Sequence, residues 1–417
     1  FRSGTDSSVY VINHLGSPDQ TIAFGVDHWL PKPGENPPKH RGRGLCATYV
    51  KYADLKPEQQ QEVFPNGPPA YRATLKGAKI YDPRPAAHQT AGDESTYAWS
   101  DNAALVILDY LTRTENGVPV GFGFKLDQMD LESFKVAAQV CDQLVPRKGN
   151  ASAPEKRWCV WGAYELTEDR KTVLSDLLDA CGGRITQAPD GKLGLTVGAG
   201  KIGHPDSPDV PGMPAASVTI NDDQILEYDF SAGKAAIERI NEVRATYVSQ
   251  DQDWSEVEAG IQLDPASIER NGTESSQIKL RFVPSESQAQ RVARYTLKRG
   301  NPAWSGRIRG TLALLDAWGE RWVRLTLAEL AINQIFEVTS MRLDRTTMAV
   351  EMEVTSYDGW WDWNADEDEA EPAAVPAGDG GEGDMPLPEE VAVTIDHRAI
   401  NGQNYAAIGI ISWKPPP

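Results

Sequence analysis

The sequence predicts a multidomain, β-rich α+β protein: two antiparallel β-barrels, an α+β domain inserted between them, and the start of a β-sandwich at the end. Three observations predict it. Short apolar or alternating runs between Pro- and Gly-rich turns occupy residues 1–95 and most of the stretch from Val218 onward. Apolar residues at three- and four-residue spacing fall within 100–181 and near 285–299. An acidic segment rich in Pro, Gly and Ala at 364–388 sets off the last residues. The expected domains are 1–99 (first barrel, its start missing), 100–217 (inserted α+β domain), 218–363 (second barrel with a helix at 285–299), 364–388 (acidic linker) and 389–417 (start of the sandwich).

With 417 residues and 40% hydrophobic content, the chain can bury a sizeable core in several domains. The net charge is −19, and nine acidic residues with no basic one lie within 362–384. The remainder is mildly acidic and lacks the basic face that wrapping nucleic acid requires, so no sequence-specific nucleic-acid binding is expected. The acidic segment reads as a solvated spacer. The longest aliphatic run, AALVIL at 103–108, is far too short to span a bilayer. The chain opens on Phe1 without an initiator Met or signal peptide and stops at ISWKPPP, so it reads as a piece of a longer polypeptide.

In the first 95 residues, TIAFGV, LCATYVKY, YRATLKG and KIYDP read as strands of an antiparallel barrel or sandwich. A helix follows, capped by Ser100 or Asp101, with Leu105, Leu108 and Leu111 on one face. Asp130 caps a second helix whose stripe is Leu131, Phe134, Ala138, Cys141 and Val145, ended by Pro146. Residues 157–166 (RWCVWGAYEL) read as a strand with Trp158, Val160 and Tyr164 on one face. Thr167 would cap the third helix, and Gly182–Gly183 would supply its left-handed end. RITQA and LGLTV form a hairpin around PDGK. Beyond the loop 198–217, INEVRATYVS, QIKLRFV, GRIRGTLALL, RWVRLTLAEL, QIFEVTSMRL and TMAVEMEVTS read as strands of the second barrel. Ser285 and Gln288 make a capping box for the helix among them. The closing strand with its Trp and prolines resembles the opening of a fibronectin type III-like sandwich.

Few residues suggest chemistry. Gly198, Gly200 and Gly203 satisfy G-x-G-x-x-G, but His204-Pro205 follows where a dinucleotide site needs a helix, which excludes it. Asp251 and Asp253 lack the glycine and distal Glu of a calcium loop and read as a hairpin tip. Arg41–Gly44 reads as a strand-entry turn rather than an anion site. The six histidines (His14, His28, His40, His88, His204, His397) are scattered singly. Cys46, Cys141, Cys159 and Cys181 fit no metal pattern and read as free thiols of a reducing cytoplasm. No G-x-S-x-G elbow is present, and no catalytic, cofactor-binding or metal residue is assigned. Cell-wall hydrolysis by two carboxylates stays open. So does glycan binding by Trp360, Trp361 and Trp363 in GWWDW, although a buried plug or subunit contact suits these better.

One pairing is more distinctive. KGAKIYDPR (76–84), a short loop and AWSDNAALVILDYLT (98–112) resemble the signature of the central tail-tip, host-specificity J-type proteins of long-tailed phages and phage-like particles. There a strand ending K-x-Y-D-P precedes W-S-x-N-P-A-x-x-x-x-D-x-L-T. Ala103 stands here where the motif often has Pro. Residues 159–198 and 227–254 resemble the family's next two blocks, so the likeness covers roughly 70–360, in order. The resemblance implies a tail hub, with Tyr81-Asp82-Pro83 marking a structural junction. Three copies, each giving two barrels, would form a ring that docks on the distal tail ring. That ring would close the tube beside the tape measure protein and other tail-tip proteins, and open for genome ejection. Downstream modules would reach a host receptor, and the virion would be assembled in the bacterial cytoplasm. The rival readings are a tail-associated peptidoglycan hydrolase and a carbohydrate-binding surface protein.

Overall fold

A computed structural model describes residues 9–14, 17, 19, 47–52, 64, 67, 75–115, 117–198, 216, 218–234, 239–252, 254–359, 361, 363–371, 389–401 and 404–414. The chain divides into two compact units, 1–77 and 78–417. In the first, β1 (Val9–His14) and β2 (Ala47–Tyr52) pair antiparallel, and the His14 ring meets Tyr49 edge-on at 5.5 Å. TIAFGV, residues 71–74 of YRATLKG, Arg41–Gly44 and Cys46 lie outside the described residues, and Leu75–Gly77 form no strand. KIYDP and the residues after it belong to the second unit.

In that unit β3 (Lys79–Ile80) pairs with β4 (Ala98–Trp99) and leads into α1 (Ala103–Thr112). Asn102 caps α1 rather than Ser100 or Asp101: its Oδ1 accepts from the amides of Ala104 and Leu105 at 3.1 and 3.3 Å. Its Nδ2 donates to the Ala138 carbonyl at 2.8 Å, so the cap also ties α1 to the next helix. Ser100 and Asp101 are otherwise engaged, the hydroxyl with the Asn102 amide and the carboxylate with Lys156. After the short pair β5 (Thr114–Glu115) and β6 (Val118–Pro119), α2 (Leu131–Cys141) starts at Asp130 as expected and buries Phe134, Ala138 and Cys141. It stops at Cys141, and Pro146 sits inside β7 (Leu144–Arg147), paired with β8 (Asn150–Lys156).

Residues 157–166 form no strand. Trp158 is wholly buried, Cys159 bridges to Asn102, and the Trp161 amide donates to the Phe282 carbonyl at 3.0 Å. Asp169, not Thr167, caps α3 (Arg170–Asp179), because its carboxylate reaches the Thr172 amide at 2.9 Å. Of the expected pair only Gly182 is left-handed (φ +58°), Gly183 opening β9 (Gly183–Gln187), which makes the expected hairpin with β10 (Leu193–Val197).

The region expected as one barrel is divided between two sheets. β11 (Val218–Asn221) and β12 (Ile225–Ala232) are the outer strands of a six-stranded sheet. β13 (Glu242–Ser249), β14 (Ser255–Glu258), β15 (Gln262–Leu263) and β16 (Ser275–Leu280) form a separate sheet, with α4 (Pro265–Asn271) before β16. That second sheet and α5 (Glu286–Arg299) share one core with α1–α3. Ser285 caps α5 through the Gln288 amide at 3.4 Å, but the box is half made. The Gln288 amide group turns away to bridge Cys159 and the Ala180 carbonyl.

The six-stranded sheet is completed by β17 (Trp304–Gly310), β18 (Trp322–Leu327), β19 (Ile332–Asp344) and β20 (Ala349–Ser356), in the order β11-β18-β19-β20-β17-β12. GTLALL continues β17 as a 3₁₀ turn, Leu312–Ala317, not as strand. Geometry forces the sheet to curl. Six flat strands put the outer two about 24 Å apart, whereas the chain from Asn221 to Ile225 reaches about 14 Å. The result is a half-barrel enclosing Phe336, Ile308, Leu325 and Met352. Its other face carries charged rows, Asp229–Arg307–Glu353 and Glu227–Arg309–Glu351–Arg342, aligned by register. After the short helix α6 (Ala365–Asp368), β21 (Glu389–Asn401) and β22 (Asn404–Lys414) form a long hairpin.

Candidate functional site

The residues of the junction signature build a staple. The Asp82 carboxylate accepts from the Arg84 amide at 2.9 Å and from its Nη2 at 2.7 Å. Arg84 Nη1 reaches on to Asp142 at 2.7 Å, at the end of α2. Lys156 joins Asp142 (3.4 Å) to Asp101 (2.8 Å), immediately before Asn102. Burial pushes the Asp142 carboxyl up, but hydrogen bonds from Arg84 and Asn102 outweigh it and hold it below its ordinary value. An Asp-Pro-Arg turn is needed here because Pro fixes φ while Asp and Arg close on each other two residues apart. The chain of ion pairs fixes where the strand enters α1.

A second cluster joins the half-barrel to the helical core. Glu337 on β19 is 4% exposed at its side chain and accepts from Arg321 Nε at 2.9 Å and Arg299 Nη2 at 2.9 Å. Arg321, itself 1% exposed at its side chain, also donates to the Gly198 carbonyl at 3.0 Å. Arg184, from β9, donates to the carbonyls of Val338 and Thr339. These are the carbonyls at a β-bulge, where the register between β19 and β20 shifts between Val338 and Ser340. Burial pushes the Glu337 carboxyl up, and the Arg321 and Arg299 charges overcome it and hold it low.

Trp361 is a third joint. It is 3% exposed, stacks on Tyr295 at 5.2 Å, and lies under the Arg157 guanidinium at 4.9 Å. Gly198 (φ +63°) leaves room for it: a Cβ there would meet the ring at 2.0 Å. A plug therefore describes Trp361, and a glycan platform does not. Trp363 is half-buried, and Trp360 lies outside the described residues. The acidic linker does not begin at 364 as a solvated spacer. Asp368 pairs with Arg294 at 2.7 Å, Ala370 exchanges two hydrogen bonds with Gln290, and Glu369 receives the Lys148 amide at 3.0 Å. The segment 363–371 is a strap along α5, and 372–388 lies outside the described residues.

The remaining candidates stay apart. Cys141 and Cys181 are buried, and burial pushes the Cys159 and Cys181 thiols up to about 12. Asp251 lies at the β13–β14 tip as expected, where Trp254 (φ +62°) packs on Trp161 at 5.5 Å. His28, His40, His204, Asp253, Gly200 and Gly203 lie outside the described residues. Among the described residues no group of His, Cys, Asp and Glu is placed to hold a metal. No helix among them is long and apolar enough to cross a membrane. A cleft of about 170 Å³ is lined by Glu155, Lys156, Cys159, Trp161, Gln250, Pro284, Ser285 and Gln288. Its one carboxylate, Glu155, is held by Ser285 at 2.6 Å and Arg291 at 2.8 Å. Two-carboxylate glycoside hydrolysis needs a second carboxyl facing the first, and the cleft lining supplies none.

The sequence matches no family profile and no curated protein. Its fold is similar to that of a chain in the virion of a native gene transfer agent particle, at a TM-score of 0.51 and 14% identity, covering 87% of this chain and 74% of that one. A tail protein from Neisseria meningitidis MC58 (TM-score 0.34, 16% identity) covers 57% of this chain and 68% of its own. A 43 kDa tail protein of prophage MuSo2 from Shewanella oneidensis (TM-score 0.32, 13% identity) covers 51% and 58%.

Proposed function

We propose that the chain is a structural component of a phage or phage-like virion, acting as the hub at the tail tip. The observation that carries this reading is the similarity of fold, over most of both chains, to a virion component. The order of signature blocks from residue 70 to 360 supports the hub assignment in particular, as does a motif spent on ion pairs that fix a junction. In this reading three copies form a ring on the distal tail protein and close the tube beside the tape measure protein. The ring opens for genome ejection, and modules downstream of the linker engage a host receptor. The activity is assembly and gating through interfaces. Reconstruction of the particle tests it: three copies about the tail axis, at its distal end, are expected, and one or six copies would refute it. A zymogram tests the non-enzymatic part separately. Cleavage of peptidoglycan by the purified protein, abolished by a single Glu→Gln change, would overturn it.

A further inference from the structure

We propose that residues 359, 361 and 363–371 form a latch that opens in steps from its C-terminal end, so that displacement of the downstream chain uncovers α5 before it disturbs either core. The inference stands on the contacts of this chain alone and does not depend on the virion reading.

The latch runs antiparallel to α5, about 16 Å along it at 1.5 Å per residue. The Gly359 carbonyl accepts from Lys298 at 3.2 Å and the Trp361 carbonyl from the Tyr295 hydroxyl at 3.4 Å. Asp368 pairs with Arg294, Ala370 with Gln290, and the Glu369 carboxylate accepts from the Ser287 hydroxyl at 3.1 Å. Positions 298, 295, 294, 290 and 287 lie on one helical face, so each turn holds one point of the latch. Gly260 gives the outer end its seat, because a Cβ there would come within 2.9 Å of the Glu371 carbonyl.

The points differ in strength in a consistent order. Outermost, Lys148 and Glu371 pair at 3.2 Å with side chains 37% and 83% exposed, which salt screens and which contributes little. Next come the neutral hydrogen bonds exchanged with Gln290 and the bond from the Ser287 hydroxyl to the Glu369 carboxylate, with Gln290 and Ser287 both buried. Then Asp368 and Arg294, 11% and 24% exposed, form a largely desolvated pair. Further in is the stacked and buried Trp361, followed by the Lys298 bond to the Gly359 carbonyl. A pull on the chain beyond residue 371 loads these one after another, weakest first as far as Trp361. Only that step frees Trp361 from Gly198, and with it the segment that Arg321 holds by the Gly198 carbonyl.

Hydrogen exchange on the full chain tests the order, with two outer variants, Lys148→Ala and Gly260→Ala, and one inner variant, Arg294→Ala. The Ala370 amide, bonded to Gln290 at 2.7 Å, reports the outer part, and the amides of α6 report the inner part. Gly260→Ala is expected to speed exchange at 369–371 by about tenfold, Lys148→Ala by about twofold, and both leave 365–368 unchanged. Arg294→Ala should speed both. The proposal is overturned if the outer variants loosen both stretches equally or neither, or if Arg294→Ala leaves 369–371 protected. Cleavage by a glutamate-specific protease after Glu367, as against Glu369 and Glu371, separates the same outcomes independently.

Discussion

Arg321 and Glu337 face each other at 2.9 Å, nearly without solvent, and neither belongs to the helical core that depends on them. The guanidinium spends its remaining donors on backbone carbonyls of that core, at Gly182, Thr196 and Gly198. A charge pair placed this deep is costly to break on one side, because the survivor stays buried.

Glu337→Gln should therefore destabilise the second unit by about 3–5 kcal/mol, the range for stranding a buried charge. The carboxyl is held below its ordinary value when folded, so its contribution is present above the unfolded pKa, about 4.3, and lost as pH falls through the folded value. Denaturant melts from pH 3 to 7 check this. The variant should show a flatter loss of stability than the native chain below about pH 4.

Asn102 combines a cap and a tertiary bond. Asn102→Ala removes the cap, worth about 1 kcal/mol, and also loses the Nδ2 bond to the Ala138 carbonyl, which keeps the Asp142 amide at 3.1 Å, at a further cost of about 0.5–1.5 kcal/mol. Asn102→Ser should restore the cap alone and fall between the two. Equal stability of the Ser and Ala variants in urea melts would show that the cap contributes nothing.

Gly198 and Trp361 should be coupled. Gly198→Ala places a methyl where the indole lies and puts Ala at positive φ, while Trp361→Ala opens a cavity costing about 3–5 kcal/mol. In a double-mutant cycle the glycine change should cost less once the indole is gone, with an interaction energy of about 1–2 kcal/mol. Additivity would mean the ring does not need that space.

The thiols at 141, 159 and 181 should be unreactive while the chain is folded. With Cys159 and Cys181 pushed up to about 12 by burial, about one part in ten thousand is thiolate at pH 8. Alkylation followed by peptide mass mapping should mark these three positions only after denaturation.

Local chemistry was legible in the sequence and long-range pairing was not. Asp130, Ser285 and Gly182 were readable because a cap or a left-handed turn is decided within four residues. Asn102 was displaced by two neighbours of equal capping propensity, and what settled it was the Ala138 carbonyl, 36 residues away. The division of the expected second barrel was invisible, since β16 joins β13 in parallel across an intervening hairpin and helix. Alternation reports that a strand has two faces, not which sheet it enters. The strap was hidden because its acids suggest solvation. Their partners, Arg294 and Lys148, come from distant elements with no sequence pattern linking them to it.

The bulge at Thr339 bears on how the half-barrel finds its alignment. Sliding β20 by two residues past β17 still sets Arg307 against a glutamate and Ile308 against an apolar residue, so both faces nearly tolerate the error. The bulge breaks that degeneracy on the neighbouring β19, and Arg184, which grips its carbonyls, comes from β9 in another sheet. Alignment is thus dictated from outside the sheet, which implies an order of folding: the helical core and its β9–β10 hairpin first, then the long strands. Arg184→Ala should leave the first refolding phase intact and slow the second, and a single unchanged phase would dismiss that order.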